Sequence, residues 1–286
     1  MYVPSKLLYM IKVDIIGRLG NQMFQYAFAY ATAKQFKTFF VINPTTQFDV
    51  AKYFRLDPLT SFFYGAPVNK YIIKIFSKFG SRLYYRKKIE ENEATSTVSQ
   101  EASGAYIGYF QSEKYFHEYR HDISRCFSIK EKWKQPFIDK YGKMLKNNKT
   151  IVIHVRRTDY LEFGKDFLGE KDLSLPITYY KNCFSRISNP EQYKILCISD
   201  DINFVRENLN IEGDLSFESN DMITDFQLLQ HADIAIIANS TFAWWAAYLN
   251  NKAEKVFAPK YWLGFKVDVE YPVDIIPQRF EAIDVY

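Results

Sequence analysis

Ile151-Val152-Ile153-His154-Val155-Arg156-Arg157-Thr158-Asp159-Tyr160 is the stretch that decides the fold. Branched aliphatic residues running without a polar break describe a strand buried on both faces, as at the centre of a parallel sheet, and the cationic pair follows at its carboxyl end. In open α/β sheets ligands bind at that end. Two adjacent guanidiniums there require anionic partners, and a diphosphate matches their fork geometry. An ion pair between one arginine and Asp159, with the other side chain solvated, accounts for the same residues without a ligand.

Working outward, the second half alternates regularly. Strands are expected at residues 193–198, 234–238 and 255–258, and helices at 178–187, 202–209, 221–231 and 242–249. Short strands separated by helices indicate a parallel, doubly wound sheet. The first half opens with a strand at 8–16, a glycine turn, a helix from Met23 to Gln35 and a strand at 37–42, closing one strand–helix–strand unit. A further strand at 105–110 leads to a helix carrying His117 and His121, then to a helix at 131–145 that Pro136 breaks early. Residues 43–69 and 90–104 read as irregular. The chain is therefore expected to be two Rossmann-like α/β halves facing each other across a cleft, with domains 1–148 and 149–286.

Bulk properties agree. A chain of 286 residues with 48% hydrophobic and 24% charged residues has material for two soluble cores. Aromatic residues make up 18%, including 22 Tyr and 25 Phe, which suits clefts and cores alike. Cys126, Cys183 and Cys197 have no metal-like spacing and read as buried thiols of a reducing compartment. No signal peptide and no membrane-length apolar run is evident, so the expected location is cytoplasmic. The net charge of +4 is concentrated in Lys70, Lys74, Lys78, Arg82, Arg86, Lys87 and Lys88, without which the remainder is net acidic. That distribution excludes a generally basic nucleic-acid binder. Apolar residues at helical spacing between these cations form an amphipathic helix. It is either a solvated face over a core stripe or a peripheral attachment to an anionic inner-membrane surface.

Three further groups carry chemistry. In Gly17-Arg18-Leu19-Gly20-Asn21-Gln22 the glycines precede a helix, so backbone N–H groups at its start can meet phosphate oxygens. Asn21 and Gln22 either cap the helix or donate amide hydrogen bonds to a ligand. Neither a third fingerprint glycine nor a Walker lysine is present. Ser199-Asp200-Asp201 ends a strand; the acids either cap the next helix or bind ribose hydroxyls or a base amino group. Asn239-Ser240-Thr241 stands at a helix N-terminus, suited to an anion or to a plain serine cap. Trp244 and Trp245 read as packing residues. His117 and His121 lack a third ligand, and no carboxylate cluster fits magnesium or manganese, so no metal site is expected.

Gly17 to Ala27 (GRLGNQMFQYA) resembles the opening signature of bacterial alpha-1,2-fucosyltransferases of glycosyltransferase family 11. His154 to Tyr160 is similar to that family's H-x-R-R-x-D-Y motif. Ser199-Asp200-Asp201, Asn239 to Leu249 and Ala258-Pro259-Lys260-Tyr261-Trp262 match its later blocks in order. The resemblance spans nearly the whole chain and implies a GT-B-like fold, GDP-fucose as donor, inversion at the anomeric carbon, and no cofactor or essential metal. It further implies a terminal galactoside as acceptor, lipid-linked or free, in bacterial surface-glycan synthesis. By it, Arg156 takes the diphosphate, supported by His154, Ser240 and Thr241, and Asn21 lies near the phosphates or the fucose. His154 and Asp159 are the candidate bases by residue type, although each could instead orient an arginine. Gly20, Gln22, Arg157, Asp200, Asp201 and Asn239 complete the expected substrate-binding set. Arg18 and Thr158 stand where many members have glycine. Segment 45–104 matches nothing specific and is where acceptor choice is expected. Protein O-fucosylation and non-catalytic glycan binding are the alternatives.

Overall fold

The structure is a computed structural model that describes residues 10–44, 47–57, 88–93 and 98–286. The basic segment 70–87, with its expected amphipathic helix, lies outside the described residues; Lys88 is the one of its cations inside them. The chain divides into two compact units, Met1–Lys130 and Glu131–Tyr286.

In the first unit, β1 (Met10–Ile15), α1 (Leu19–Gln35) and β2 (Phe39–Pro44) form the expected strand–helix–strand. After the short α2 (Asp49–Tyr53) come β3 (Lys88–Glu90), β4 (Gly104–Ile107) and α3 (Arg120–Cys126). Among the described residues the sheet is parallel in the order β2-β1-β4-β3. Ile11, Val13 and Ile15 are buried while Lys12 and Asp14 pair at 3.2 Å on the other face, so β1 alternates with the period of two expected of a strand. Helix α1 is buried almost all round: Ala27, Ala29, Ala31 and Ala33 allow close approach, and the rings between them fill the core. Phe28 stacks on Phe110 at 4.0 Å and meets Tyr106 and Tyr115 edge-on, so much of the aromatic content is core.

Helix α1 begins four residues earlier than expected. Only Gly17 needs a positive φ (+76°); Gly20 is helical, and the N–H of Gln22 already donates to the Arg18 carbonyl at 3.0 Å. Gln25 then ties two strand ends together: its Oε1 accepts from the Ile16 N–H at 3.1 Å and its Nε2 donates to the Gly108 carbonyl at 2.8 Å.

The second unit comprises α4 (Glu131–Asn147), β5 (Lys149–Val155), α5 (Ile177–Phe184), β6 (Tyr193–Ser199), α6 (Ile202–Asn208), β7 (Asp214–Glu218), α7 (Met222–Gln230), β8 (Ile234–Ile236), α8 (Thr241–Leu249), β9 (Lys255–Pro259) and β10 (Glu281–Ile283). All strand pairs are parallel, in the order β10-β9-β8-β5-β6-β7. The chain therefore leaves β5 toward β6 and β7, then returns to β8 on β5's other side, a Rossmann-type order with its switch point between β5 and β8. Thr150 to Val155 are all buried, which explains the unbroken Ile/Val run. Strands β3, β7 and β10 were not expected; each is at a sheet edge, and β7 has no fully buried residue to mark it.

The division falls before α4 rather than after it. Phe137 and Tyr141 are the buried residues of α4; the Tyr141 hydroxyl donates to Glu218 at 2.6 Å, and Gln227 on α7 donates to the Trp133 carbonyl at 3.2 Å. These contacts fasten α4 to the second sheet, and Pro136 does not end it. Trp244 and Trp245 are fully buried, as expected of packing residues. Trp244 stacks on Tyr248 at 4.5 Å, and its indole N–H donates to the Ile275 carbonyl at 2.7 Å.

Trp244 is thus the bolt of α8. Trp244→Ala is expected to destabilise the second unit by about 3–5 kcal/mol through cavity formation. Trp244→Phe should cost less, about 1–3 kcal/mol, from the orphaned Ile275 carbonyl and the smaller ring. Denaturant unfolding followed by circular dichroism checks the ranking; equal effects would mean that packing volume is irrelevant at this position.

Candidate nucleotide-sugar site

The carboxyl ends of β5 and β8 meet at the switch point. The Ala238 N–H donates to the His154 carbonyl at 3.1 Å, extending the pairing of the two strands to the first residues beyond β8. Beyond it lie the arginine turn on one side and Asn239-Ser240-Thr241 on the other. The Tyr160 hydroxyl, donating to the Asn239 carbonyl at 2.9 Å, joins the two loops.

Both arginines are ion-paired. Arg156 Nη2 meets Asp159 Oδ1 at 2.5 Å, its Nη1 meets Asp200 Oδ2 at 3.3 Å, and its guanidinium lies 5.9 Å from the Tyr160 ring centre. Arg157 turns the other way: its Nε meets Asp201 at 3.3 Å and its guanidinium lies 3.7 Å from the Phe204 ring centre. So neither arginine is the solvated one of the ligand-free account, although the Arg156–Asp159 pair it required is present. Side-chain exposure of 21% for Arg156 leaves part of its fork open while its orientation is set from two sides.

Asp200 and Asp201 do different work. Asp200 accepts from the Arg157 N–H at 2.9 Å, the Thr158 N–H at 3.1 Å and the Thr158 hydroxyl, besides Arg156. Asp201 is the N-cap of α6, accepting from the Phe204 N–H at 3.3 Å, and so fills the capping role expected of one member of this pair. In the described structure these carboxylates hold the arginine turn and a helix.

His154 is 7% exposed, 5.8 Å from Phe242 between ring centres, and its Nδ1 finds no hydrogen-bond partner. Burial, with Arg156 nearby, pushes its pKa down to about 4, so the imidazole is neutral near pH 7. Asn239 is fully buried; its Nδ2 donates to the Leu173 carbonyl at 3.0 Å and its Oδ1 is unpartnered. Ser240 occupies the N-cap of α8 in an extended conformation, but its hydroxyl does not cap the helix. The first N–H groups of α8 therefore receive nothing from that side chain, the condition under which a helix start accepts an anion.

Gly20, Asn21 and Gln22 belong to the first unit, in the first turn of α1. Gln22 is 1% exposed and its amide is committed: Nε2 donates to the Gly17 and Gln47 carbonyls at 3.0 and 2.8 Å, and Oε1 accepts from the Asp49 N–H at 2.8 Å. It fastens the glycine turn to the following loop. Asn21 lies over Gly17, with Nδ2 2.7 Å from where a Cβ would sit, and its Oδ1 accepts from Gln111 at 3.1 Å.

Two residues with structural roles went unremarked in the sequence. Tyr160 is one, as the tether described above. The other is Asp225, whose carboxyl is pushed up to about 7, chiefly by burial, with Asn220 donating to it at 2.9 Å. Its signal was present: an acid four residues before the buried Leu229, on the same face of the helix. Among the described residues no group of three or more His, Cys, Asp or Glu is arranged to hold a metal, and no helix is long and apolar enough to cross a membrane. Cys126, Cys183 and Cys197 are free and buried, with burial pushing their thiols up to about 11, 12 and 12.

Comparison with known proteins adds the following. A family model described as Glycosyl transferase family 11 matches residues 1–264. An alpha-1,2-colitosyltransferase from Escherichia coli is 26% identical, covering 94% of this chain and 97% of its own. The O-antigen biosynthesis glycosyltransferase WbnK, also from Escherichia coli, is 27% identical over 87% of this chain and 93% of its own. Galactoside alpha-(1,2)-fucosyltransferase 2 of Gorilla gorilla gorilla is 26% identical over 86% and 71%. Among solved structures, the alpha-1,6-fucosyltransferase NodZ soaked with GDP-fucose superposes with a TM-score of 0.51 at 12% identity, covering 87% of this chain and 94% of that one. That likeness concerns the fold, which is α/β and GT-B-like, as expected.

Asp225 and His154 impose opposite pH trends on stability. The raised carboxyl favours the fold when protonated, a contribution complete below pH 4 and lost as pH rises through about 7. The depressed imidazole favours the fold when neutral, a contribution complete above the ordinary histidine range and lost as pH falls through about 4. Asp225→Asn, neutral at every pH, is therefore expected to gain stability relative to the parent as pH rises through 7, while the acid-side loss from His154 persists. Melting temperatures across that range check it; a constant difference between variant and parent would show that Asp225 is already ionised in the fold.

Proposed function

The chain belongs to glycosyl transferase family 11, and on that premise we propose that it transfers L-fucose from GDP-fucose to the 2-hydroxyl of a terminal β-galactoside, with inversion. The setting we assign is bacterial surface-glycan synthesis, O-antigen or similar. The observation that carries this reading is Arg156 at the carboxyl end of β5, held by Asp159 and Asp200 in a loop that Tyr160 ties to the start of α8. Relatives named for alpha-1,2 transfer to galactosides and for O-antigen synthesis support this reading over protein O-fucosylation or glycan binding without chemistry.

The second unit takes the nucleotide sugar in this scheme, and the first contributes selectivity for the acceptor. As GDP departs, negative charge grows on the β-phosphate. A guanidinium already oriented by two carboxylates, together with the uncapped N-terminus of α8, stabilises that charge without reorganising. Two guanidiniums against Asp159, Asp200 and Asp201 do not make a cationic pocket, so the attraction comes from directed donors rather than net charge. Asp159 acts as the orienting partner of Arg156. His154, neutral and with a pKa near 4, is too weak a base to deprotonate a sugar hydroxyl; its proposed role is to line the site. The step is therefore driven by charge stabilisation on the leaving group: the bond from the fucosyl C1 to the β-phosphate oxygen breaks, the acceptor's 2-hydroxyl oxygen bonds to the oxocarbenium-like C1 from the opposite face, and the hydroxyl proton passes to solvent. Arg157 anchors the turn to α6 and contributes to donor binding indirectly. Attachment of the basic segment to an anionic membrane and a lipid-linked acceptor remain parts of the proposal that rest on sequence alone.

Arg156→Lys keeps the charge and loses the planar fork, so kcat is expected to fall by roughly a hundredfold or more, with a smaller change in GDP affinity. Arg157→Lys should lower thermal stability more than kcat. Steady-state kinetics, GDP titration and melting curves on both variants check this; the reverse ranking would assign the diphosphate to Arg157, and mild effects in both would remove it from this turn.

Turnover is also expected to persist in excess chelator, because arginine supplies the counter-charge. Loss of transfer that magnesium or manganese restores would overturn that part of the scheme.

A further inference from the structure

Immediately after the arginine turn the chain exposes two phenylalanines that the scheme above does not use. Phe163 is 49% exposed and Phe167 56%. Leaving such rings half in water forgoes part of the free energy that burying them would give. The loop that carries them is nevertheless fastened. The Gly164 N–H donates to the Lys171 carbonyl at 2.7 Å, the Leu173 N–H donates to the Tyr160 carbonyl at 2.8 Å, and Glu170 pairs with Lys266 at 2.5 Å. Leu168 is buried beneath it. At Gly164 a Cβ would lie 2.0 Å from the Glu170 carbonyl oxygen, so only glycine lets the two limbs approach.

The position of Phe163 is specific. Its ring stacks on Tyr160 with centres 5.1 Å apart and planes 10° from parallel, and Tyr160 lies under the Arg156 guanidinium. The Tyr160 hydroxyl is fixed on the Asn239 carbonyl. A ladder of guanidinium, phenol and phenyl thus runs from the donor-phosphate arginine to an open aromatic face two ring steps away. Exposed Glu162, Lys165 and Asp166 neighbour Phe163 and Phe167 in the chain, and Lys171 pairs with Glu162 at 3.9 Å.

We propose that Phe163 is the platform for the acceptor's terminal pyranose. This inference rests on the donor reading and deepens it by naming where the acceptor sits. One face of a galactose ring presents several C–H bonds whose slight positive charge matches the negative face of an arene. Its hydroxyls both donate and accept, which suits a mixture of carboxylates and ammonium groups such as Glu162, Lys165, Asp166 and Lys171. With Lys165 and Lys171 balancing Glu162 and Asp166, the patch has no net charge of its own to draw an anionic membrane surface, and a neutral pyranose is the occupant it fits.

The test uses the full-length chain, with and without GDP, and methyl β-D-galactoside and N-acetyllactosamine as probes in saturation-transfer NMR and calorimetry. Phe163→Ala is expected to weaken saccharide binding about tenfold, and Phe163→Trp to restore it. Phe167→Ala should do less, and GDP affinity should stay within about twofold of the parent. Melting curves show that the variants fold. Saccharide affinity unchanged in Phe163→Ala, or none in the parent, overturns the proposal. So does the finding that a Phe163→Ala/Phe167→Ala variant loses sedimentation with phosphatidylcholine–phosphatidylglycerol vesicles, or loses self-association, while binding saccharide normally. If the parent binds saccharide through Phe163 but neither binds GDP nor cleaves GDP-fucose, the platform stands and the donor reading falls.

Discussion

The second unit depends on one carboxylate. Asp200 takes two backbone N–H groups, a hydroxyl and a guanidinium from the turn that leaves the central strand. Arg157, with φ of −140° and ψ of −59°, sits where the chain turns out of extended geometry, and the hydrogen bonds of Asp200 fix that turn. Charge-assisted bonds are worth more than neutral ones, and here they are spent on orientation. Without them Arg156 would be a long cation free to fold against either loop. With them its fork is preset at the place where two halves of the sheet diverge.

A second constraint operates at the start of the first unit. There Gln22 and Gln25, both buried, spend their amides on backbone groups of the glycine turn, the loop after β2 and the ends of β1 and β4. Buried amides that are fully matched rigidify a loop because any displacement strands several polar groups at once. The turn thereby gains a fixed shape, with the Asn21 side chain laid across Gly17.

Much of this was legible in the residues. The run Ile151 to Val155 announced a central strand because both of its faces are covered, and the same run located the cations that follow it. What was not legible has physical reasons. Strands β7 and β10 lie at edges where one neighbour and partial burial suffice, so neither hydrophobic run nor alternation marks them. Gln22 looked like a ligand donor because a sequence shows that an amide exists but not whether it is already used. The acids Asp200 and Asp201 could be read as caps or ligand groups, and the structure divides the labour: one caps, the other holds the turn. Helix α4 was assigned to the wrong side of the boundary because the linker-like polar run 146–149 follows it, whereas Phe137 and Tyr141 bind it to what comes after.

The far end of α8 is closed by residues 275–283. Arg279 reaches the carbonyls of Ala247 and Asn250, the C-terminal cap of that helix, Ile275 receives the Trp244 indole, and β10 pairs with β9. Ile275, Arg279 and β10 lie beyond the stretch that the family model matches. Arg279 meets Asn250 across a sequence separation of 29, so the helix that presents Ser240 is latched by residues that follow it well along the chain. The clasp thus lies outside the motifs: a chain that carries every motif residue but lacks Ile275 and Arg279 would keep the helix and lose the contacts that hold its far end.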